Sequence, residues 1–158
     1  MQARMKQPVF VIPDALKALQ TLSRSAEGRG VPATTLALVH MRTSQINGCA
    51  VCLDLHNHPQ YFQKDTDART LAVAAWRDAP FFTDAERAAL ALAEAVTRLA
   101  DRPDPVPDEV WAEAARHYDE QAMAALLLAI SSVNVWNRLN VATRQIAGAI
   151  GKQGPEKS

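Results

Sequence analysis

The sequence has no excess of either charge and no basic stretch interleaved with aromatic residues. Its 158 residues include 17 lysines and arginines against 17 aspartates and glutamates. A balanced charge gives no long-range attraction to nucleic acid or to an anionic membrane surface. Nucleic-acid recognition usually leaves a basic patch in the sequence. We therefore expect no nucleic-acid partner and no membrane partner.

Targeting and membrane-spanning signals are also missing. The N-terminus carries no apolar core followed by a small-residue cleavage site, which a signal peptide would require. The longest apolar run, AMAALLLAISSVNVW, is too short and too polar at its end for a bilayer span. We expect a cytoplasmic protein, in which a Cys-x-x-Cys pair is redox-active or metal-binding more often than a structural crosslink.

Strand patterns are scarce, and helical patterns fill most of the chain. Only PVFVI near the start could form a strand, and it has no partner strand. Apolar residues recur at helical spacing elsewhere, and Thr83 and Glu86 form a capping-box pattern. The sequence predicts an all-α, single compact helical domain of about six to seven helices, with a core over about 10–150 and a frayed tail at 151–158. The predicted helices include PDALKALQTLS, ATTLALVHMRTSQI after Pro32, a helix from about Cys49 to Phe62 that Pro59 bends or ends near Asn57, a short helix over Asp67 to Arg77, TDAERAALALAEAVTRLA, DEVWAEAARHY and a long last helix from near Asp119.

Both cysteines lie in the stretch SQINGCAVCLDLHNH, residues 44–58. If residues 49–56 form a helix, Cys49, Cys52 and His56 share one face. Cys52 and His56 are then one turn apart and within reach of a hydrogen bond. Cys49 and His56 are two turns apart, roughly 10 Å along the axis. The Cα atoms of the two cysteines fall within the roughly 4.4–6.8 Å that a disulfide tolerates.

The start of this helix is expected to activate a thiol. Asn47 or Gly48 could cap it and leave free N–H groups near the sulfur atoms, which favours a thiolate. The spacing then predicts an activated thiol, Cys52, and a second thiol, Cys49, that captures its oxidised form. With His56 as a base, these residues are sufficient for dithiol redox chemistry.

Two other interpretations fit the same residues. The cysteines could be inert packing on a buried helix face. A zinc site could use Cys49, Cys52 and His56 with one further histidine, although structural zinc usually draws its ligands from two separate segments. The candidates for that fourth ligand are His40, His58 and His117.

The pattern Ser-Gln-x-Asn-Gly-Cys-x-x-Cys-x-x-x-His, from Ser44 to His56, resembles the AhpD-like alkylhydroperoxidase family within the carboxymuconolactone decarboxylase superfamily. WRDAPFFTDAERAALALAEAVT and NVWNRLNVATR are also similar, so that the resemblance covers about residues 10–148. It implies an AhpD-like all-α fold, homo-oligomers that are often trimers or hexamers, and a thiol peroxidase. In the family scheme Cys52 attacks the peroxide, Cys49 resolves the sulfenic acid as a disulfide, and His56 belongs to a proton relay.

One position departs from the family pattern. Family members commonly carry a glutamate of the relay twelve residues before the first cysteine, where this chain has Ala37. His40 lies one turn further along the same helix and could replace the missing carboxylate, or it could be an ordinary surface or core histidine. Without an orienting partner His56 would be a weaker base.

The sequence therefore predicts an enzyme that reduces hydroperoxides through a dithiol–disulfide cycle. It would need no cofactor and no metal, and an external dithiol of the lipoyl or thioredoxin type would regenerate it. The apolar stretch AMAALLLAI supports a homo-oligomer, because it is apolar nearly all round. The alternative is that it is the central helix of a monomeric bundle, buried by its neighbours on every side. The alternatives are a redox switch or scaffold with little turnover, a lactone decarboxylase and a metal-binding protein.

Five further residues are interpreted from their positions. Arg42 is expected to pair with a carboxylate that the sequence cannot name. Asn137 and Arg138 are interpreted as part of a buried polar network that tethers helices, although they could also line the cysteine pocket. Trp76 and Trp111 are interpreted as anchors of the core or of an interface.

Overall fold

A computed structural model describes residues 2–62, 65–101 and 103–148. Within these ranges the chain forms eight α-helices and no strand, which confirms the all-α class and slightly exceeds the expected six to seven helices. The predicted frayed tail, 151–158, lies outside the described residues. The helices are α1 (Pro8–Val11), α2 (Pro13–Ser25), α3 (Ala33–Asn47), α4 (Ala50–Asp54), α5 (Asp67–Ala72), α6 (Asp84–Thr97), α7 (Asp108–His117) and α8 (Glu120–Thr143).

Helices α6 and α8 both begin with a side-chain cap. Thr83 accepts from the backbone N–H of Glu86, and the Glu86 carboxylate accepts from that of Thr83, so α6 has the predicted capping box. Asp119 accepts from the N–H of Ala122 at the start of α8. Each cap satisfies N–H groups that the first turn leaves without partners.

Two short segments had ambiguous sequence patterns. PVFVI, the only candidate strand, is largely helical: α1 covers Pro8–Val11, where Gln7 accepts from the N–H of Val9 and Pro8 stands at the first position. In the second segment α4 ends at Asp54 and a 3₁₀ turn over Leu55–Asn57 follows, so that helical structure ends near Asn57, before Phe62. Pro59 disfavours helical conformation in the residue before it, which accounts for the early end.

The centre of the molecule is built from α3, α6 and α8, which pack against one another. Helix α2 covers α8, and α7 covers α6. The main core joins residues of α6 and α8 to Val39 of α3, and it includes Leu92, Leu126 and Ile130, all fully buried. A second cluster around Leu38, Met41, Trp76, Phe82 and Leu90 lies where α3 and α6 meet the turn after α5.

A buried carboxylate joins these elements. Glu94 on α6 accepts from Arg42 Nε at 2.7 Å and from Trp76 Nε1 at 3.0 Å, and Arg77 lies 2.8 Å from its other oxygen. Burial acts to raise the pKa of Glu94, but hydrogen bonds from Trp76, Arg77 and Arg42 hold that pKa below its usual value. Trp76 is therefore a core anchor as predicted, whereas Trp111 on α7 is exposed.

Helix α8 is long and apolar enough to cross a bilayer, judged by length and composition alone. Half of its most apolar window is buried against the rest of the protein. Core helices of soluble proteins pass the same test, so this property is weak evidence for a membrane span. Its central position also explains why AMAALLLAI has apolar residues on several sides.

Candidate active site

The two cysteines lie at the junction between α3 and α4. Gly48 ends α3 with φ of 67°, a left-handed conformation that glycine adopts at little cost. Cys49 then caps α4, and its Sγ accepts from the backbone N–H of Cys52 at 3.3 Å. The prediction that Asn47 or Gly48 caps this helix was wrong, because Cys49 is the cap. The N–H group of Cys52 donates to the sulfur of Cys49.

Cys49 and Cys52 form a disulfide with a Cα–Cα distance of 5.3 Å, within the range expected from their spacing. Both residues are buried, each with 1% of its surface exposed. The structure therefore represents the oxidised state of the dithiol, held beneath the surface of the protein.

An asparagine that the sequence did not single out contacts the second sulfur. Asn140 on α8 donates from Nδ2 to Cys52 Sγ at 3.4 Å. The Oδ1 atom of Asn140 accepts from Gln7 Nε2 at 3.1 Å, and Gln7 Oε1 accepts from the N–H of Val9 at 2.8 Å. Asn140 is 88 residues from Cys52 and 133 from Gln7. No local sequence signal could have indicated the contact.

His40 and His56 form a pair beside α4. Nδ1 of His40 lies 2.9 Å from Nε2 of His56, and the ring of Phe62 stacks on His56 with centroids 4.2 Å apart. Burial, followed by the nearby His56, lowers the pKa of His40 to about 3. Burial lowers the pKa of His56 to about 4. Both imidazoles are therefore neutral at pH 7, and one donates its N–H to the other.

The hydrogen bond of His56 goes to His40, whereas helical spacing predicts that it reaches Cys52. Because Cys52 is joined to Cys49 in a disulfide, its sulfur carries no proton that it could donate to His56. The other two histidines lie in separate places: His58 is 3.7 Å from Asp54, and His117 is 3.1 Å from Glu113. Among the described residues, no group of three or more His, Cys, Asp or Glu side chains is arranged to hold a metal ion.

Next to His56 is a cavity of about 270 Å³. Ala37, the residue at the position of the family glutamate, forms part of its wall. Leu38, Met41 and Leu53 supply apolar surface. The small side chain at position 37 therefore leaves space beside the imidazole.

Amide side chains connect α3 to α8 behind the cysteines. Asn47 donates to the Oδ1 atoms of Asn134 and Asn137, both at 2.9 Å, and Asn137 donates to Ser44 at 3.1 Å. Arg138 is exposed and donates to Asn134 on the same helix, so it does not itself tether α8 to α3. The predicted tethering network is confirmed for Asn137, which is buried and bonded to α3. This network fixes the end of α3, immediately before Cys49.

The helical fold, the buried Cys-x-x-Cys disulfide and the adjacent histidines define a dithiol protein of AhpD-like architecture. The chain belongs to the carboxymuconolactone decarboxylase family, whose model matches residues 13–95. The matched region contains both cysteines and both paired histidines. Gln7 and Asn140 lie outside it.

Similar proteins are found among curated sequences and solved structures. The uncharacterized protein YdfG of Bacillus subtilis is 33% identical over 132 residues, which is 84% of this chain and 88% of YdfG. ATU0492 of Agrobacterium tumefaciens, a protein of unknown function for which an AhpD-type role in antioxidant defence has been suggested, superposes with a TM-score of 0.82 at 28% identity. That match covers 92% of this chain and 97% of ATU0492. The debrominase Bmp8 superposes with a TM-score of 0.74 at 26% identity, over 89% of this chain and 75% of Bmp8.

Proposed function

We propose that this protein is a thiol peroxidase that reduces hydroperoxides through its Cys49–Cys52 pair. The Cys52 thiolate attacks the O–O bond and becomes a sulfenic acid, and the alkoxide that leaves takes a proton to become an alcohol. The Cys49 thiol then displaces water from the sulfenic acid and forms the disulfide. An external dithiol reduces that disulfide and is itself oxidised to a disulfide, which closes the cycle.

The observation that carries the proposal is the Cys49–Cys52 disulfide, on the same short segment as His56, which is paired with His40 of α3. The crosslink spans three residues. Closing so short a loop removes little chain entropy from the unfolded state, so it contributes little to stability. A crosslink of this kind is better explained by redox chemistry than by structural support.

In this scheme His56 is the base, and His40 takes the place of the family glutamate as its orienting partner. Burial lowers the pKa values of the two rings to about 3 and 4, so both imidazoles are unprotonated at pH 7, which is the form that can accept a proton. The hydrogen bond between the rings fixes the orientation of His56. Ala37 cannot do this, because it carries no polar group.

The deciding experiment is hydroperoxide consumption with a panel of dithiol donors, comparing the parent protein with Cys52→Ser. We expect turnover only for the parent protein. Cys49→Ser should react with one equivalent of peroxide and then stop at the sulfenic acid, which a sulfenic-acid probe would trap. Equal turnover by the parent and Cys52→Ser would refute the peroxidase proposal.

A second candidate is reductive removal of halide from a small aromatic compound. The observation that favours it is the cavity of about 270 Å³ beside His56, whose lining is partly apolar, through Leu38, Met41 and Leu53, and partly polar. The similarity to a debrominase also favours it. The dithiol would supply two electrons: an aryl bromide and two thiols give the arene, a disulfide and hydrogen bromide. Release of bromide from 2,3,4-tribromopyrrole, the compound bound to a Bmp8 variant, tests it. Bromide release without hydroperoxide turnover would favour this candidate.

A further inference from the structure

The amide of Asn140 presents its N–H group, and not its oxygen, to Cys52 Sγ. The orientation follows from a donor that cannot be reversed. The backbone N–H of Val9 points at Gln7 and requires an oxygen there, so the other end of the Gln7 amide is NH₂. That NH₂ requires an oxygen on Asn140, which leaves Nδ2 of Asn140 for the sulfur. One fixed backbone donor therefore sets the polarity of the whole chain of hydrogen bonds.

The three side chains joined by these hydrogen bonds are all buried. Cys52 is 1% exposed, Asn140 is 8% exposed and Gln7 is 9% exposed. Hydrogen bonds to a charged group are shorter and stronger than those to a neutral one, and a thiolate accepts much more strongly than a thiol. Water cannot stabilise the thiolate charge in a buried site, so a hydrogen-bond donor of this kind supplies a large part of the stabilisation.

The two sulfur atoms have different donors. Cys49 Sγ accepts from a backbone N–H, whereas Cys52 Sγ accepts from a side chain held by a residue near the N-terminus. The donor to Cys52 can therefore be removed by mutation without changing the backbone of α4.

We propose that Asn140 stabilises the thiolate of Cys52 and that Gln7 is the positioning residue that orients Asn140. The proposal rests on the proposed function only in treating Cys52 as the reacting thiol. Asn140 contacts the reacting sulfur, and Gln7 acts through Asn140. Gln7 thereby links the N-terminal helix α1 to the redox site.

The test measures the pKa of Cys52 in reduced protein that carries Cys49→Ser, where Cys52 is the single remaining thiol. Serine is also a good helix cap, so α4 should keep its start. The readouts are the ultraviolet absorbance of the thiolate and the rate of alkylation as a function of pH. Asn140→Leu removes the donor and should raise the pKa by about 1–2 units, which lowers the alkylation rate at neutral pH by about 10–100-fold.

Gln7→Met supplies a second variant that leaves Asn140 in place. It frees the Asn140 amide to turn its oxygen toward the sulfur, so the pKa should again rise. Gln20→Met is the matched control on the exposed side of α2, and it should leave the pKa unchanged. Because Gln7 acts through Asn140, the double variant Gln7→Met with Asn140→Leu should shift the pKa no further than Asn140→Leu alone.

The variants leave the ionisable groups around Cys52 unchanged. Those on the elements packed against it are His40 and Arg42 on α3, Asp54 on α4, His56 in the following turn, and Glu120 and Arg138 on α8.

An unchanged pKa in folded Asn140→Leu overturns the proposal. If Asn140→Leu does not fold, Gln7→Met decides: a raised pKa supports the role of Asn140, and an unchanged one overturns it. Additive shifts in the double variant would overturn the positioning role of Gln7. Failure of the peroxidase proposal is distinguishable, because it would appear as absent peroxide turnover in the parent protein, whatever the pKa of Cys52.

Discussion

Nδ1 of His40 lies 2.9 Å from Nε2 of His56, and Phe62 packs against both rings. His56 is the histidine of the family pattern, whereas His40 lies one turn after Ala37, the position of the family glutamate. Two imidazoles carry no net charge at neutral pH, whereas a carboxylate would hold a proton on its partner. This difference should affect the rate of reaction with peroxide, the stability of the protein in acid and the result of adding a carboxylate by mutation.

Removing either histidine should slow the reaction of the reduced protein with peroxide. His56→Ala removes the base, and general-base assistance typically contributes about 10²–10⁴-fold. His40→Ala removes only the orienting partner, so its effect should be smaller. His117→Ala, on α7, is the matched control and should react at the parent rate. Stopped-flow measurement of sulfenic-acid formation gives the rates, and an unchanged rate in His56→Ala would remove it from the mechanism.

Ala37→Glu should raise the pKa of His56 from about 4, because a nearby carboxylate favours the protonated imidazole. The new side chain has space, since Ala37 lines the cavity beside His56. Ala37→Gln is the isosteric neutral control. NMR titration of the His56 ring measures the shift, and peroxide kinetics show whether the rate increases. Equal pKa values in the two variants would show that the glutamate does not reach the imidazole.

The sequence was informative where the determinants are local. Thr83 and Glu86 are three residues apart and form the predicted capping box. Cys49 and Cys52 have the separation that helical spacing gives. The helix at Pro8–Val11 has no such signal, because four residues are too few for a detectable periodicity and its cap, Gln7, is not a usual one.

The parts of the site that could not be predicted depend on residues far apart in the chain. His40 was named as a possible partner of His56 through the family pattern, and the structure brings the two rings together. Nothing in the sequence pairs Asn140 with Cys52, because that contact depends on how α8 crosses α4. Arg42 was expected to have a carboxylate partner that the sequence could not name, and the partner is Glu94.

The histidine pair should make the protein less stable in acid. The folded pKa values, about 3 for His40 and about 4 for His56, lie below the value of 6.5 for an unperturbed histidine. The unfolded chain therefore binds protons more readily, and acid favours unfolding. This contribution to the free energy of unfolding is fully present above pH 6.5 and declines as the pH falls toward 4.

Urea unfolding of the oxidised protein between pH 7.5 and pH 4 checks this expectation. The variant with His40→Gln and His56→Gln cannot titrate at these positions, so its free energy of unfolding should fall less with decreasing pH. His117→Gln controls for the loss of an exposed histidine. Parallel pH profiles for the parent and the double variant would contradict the lowered pKa values.

Small dithiols should reduce the disulfide faster than protein dithiols. Both cysteines have only 1% of their surface exposed, so a reductant must reach beneath the surface to attack a sulfur atom. A slender lipoyl-type dithiol meets this requirement more easily than the broad surface of a thioredoxin. Rates of disulfide reduction by dihydrolipoamide and by reduced thioredoxin, at equal dithiol concentration, provide the comparison. A faster reaction with thioredoxin would contradict the accessibility argument.

We expect the protein to be a homo-oligomer, assembled through the part of α8 that remains exposed. Most apolar residues of this helix face the core, but Ala124, Leu128 and Val135 share an exposed face. Near the N-terminus, Phe10 and Ile12 are also exposed, at 52% and 61%. Contiguous exposed apolar surface commonly marks an interface, because covering it removes apolar area from water.

Light scattering at micromolar concentration should give a mass that is a multiple of the 17.2 kDa chain mass. Leu128→Glu places a charge on the exposed face of α8 and should shift the mass toward that of one chain, because burying an unpaired charge is costly. Leu71→Glu is the matched control, since Leu71 is 80% exposed on α5 and its replacement should leave the mass unchanged. A mass near 17.2 kDa for the parent protein would refute the oligomer. An oligomeric parent whose mass is unchanged by Leu128→Glu would move the interface elsewhere, with the exposed side chains of α1 as the next surface to mutate.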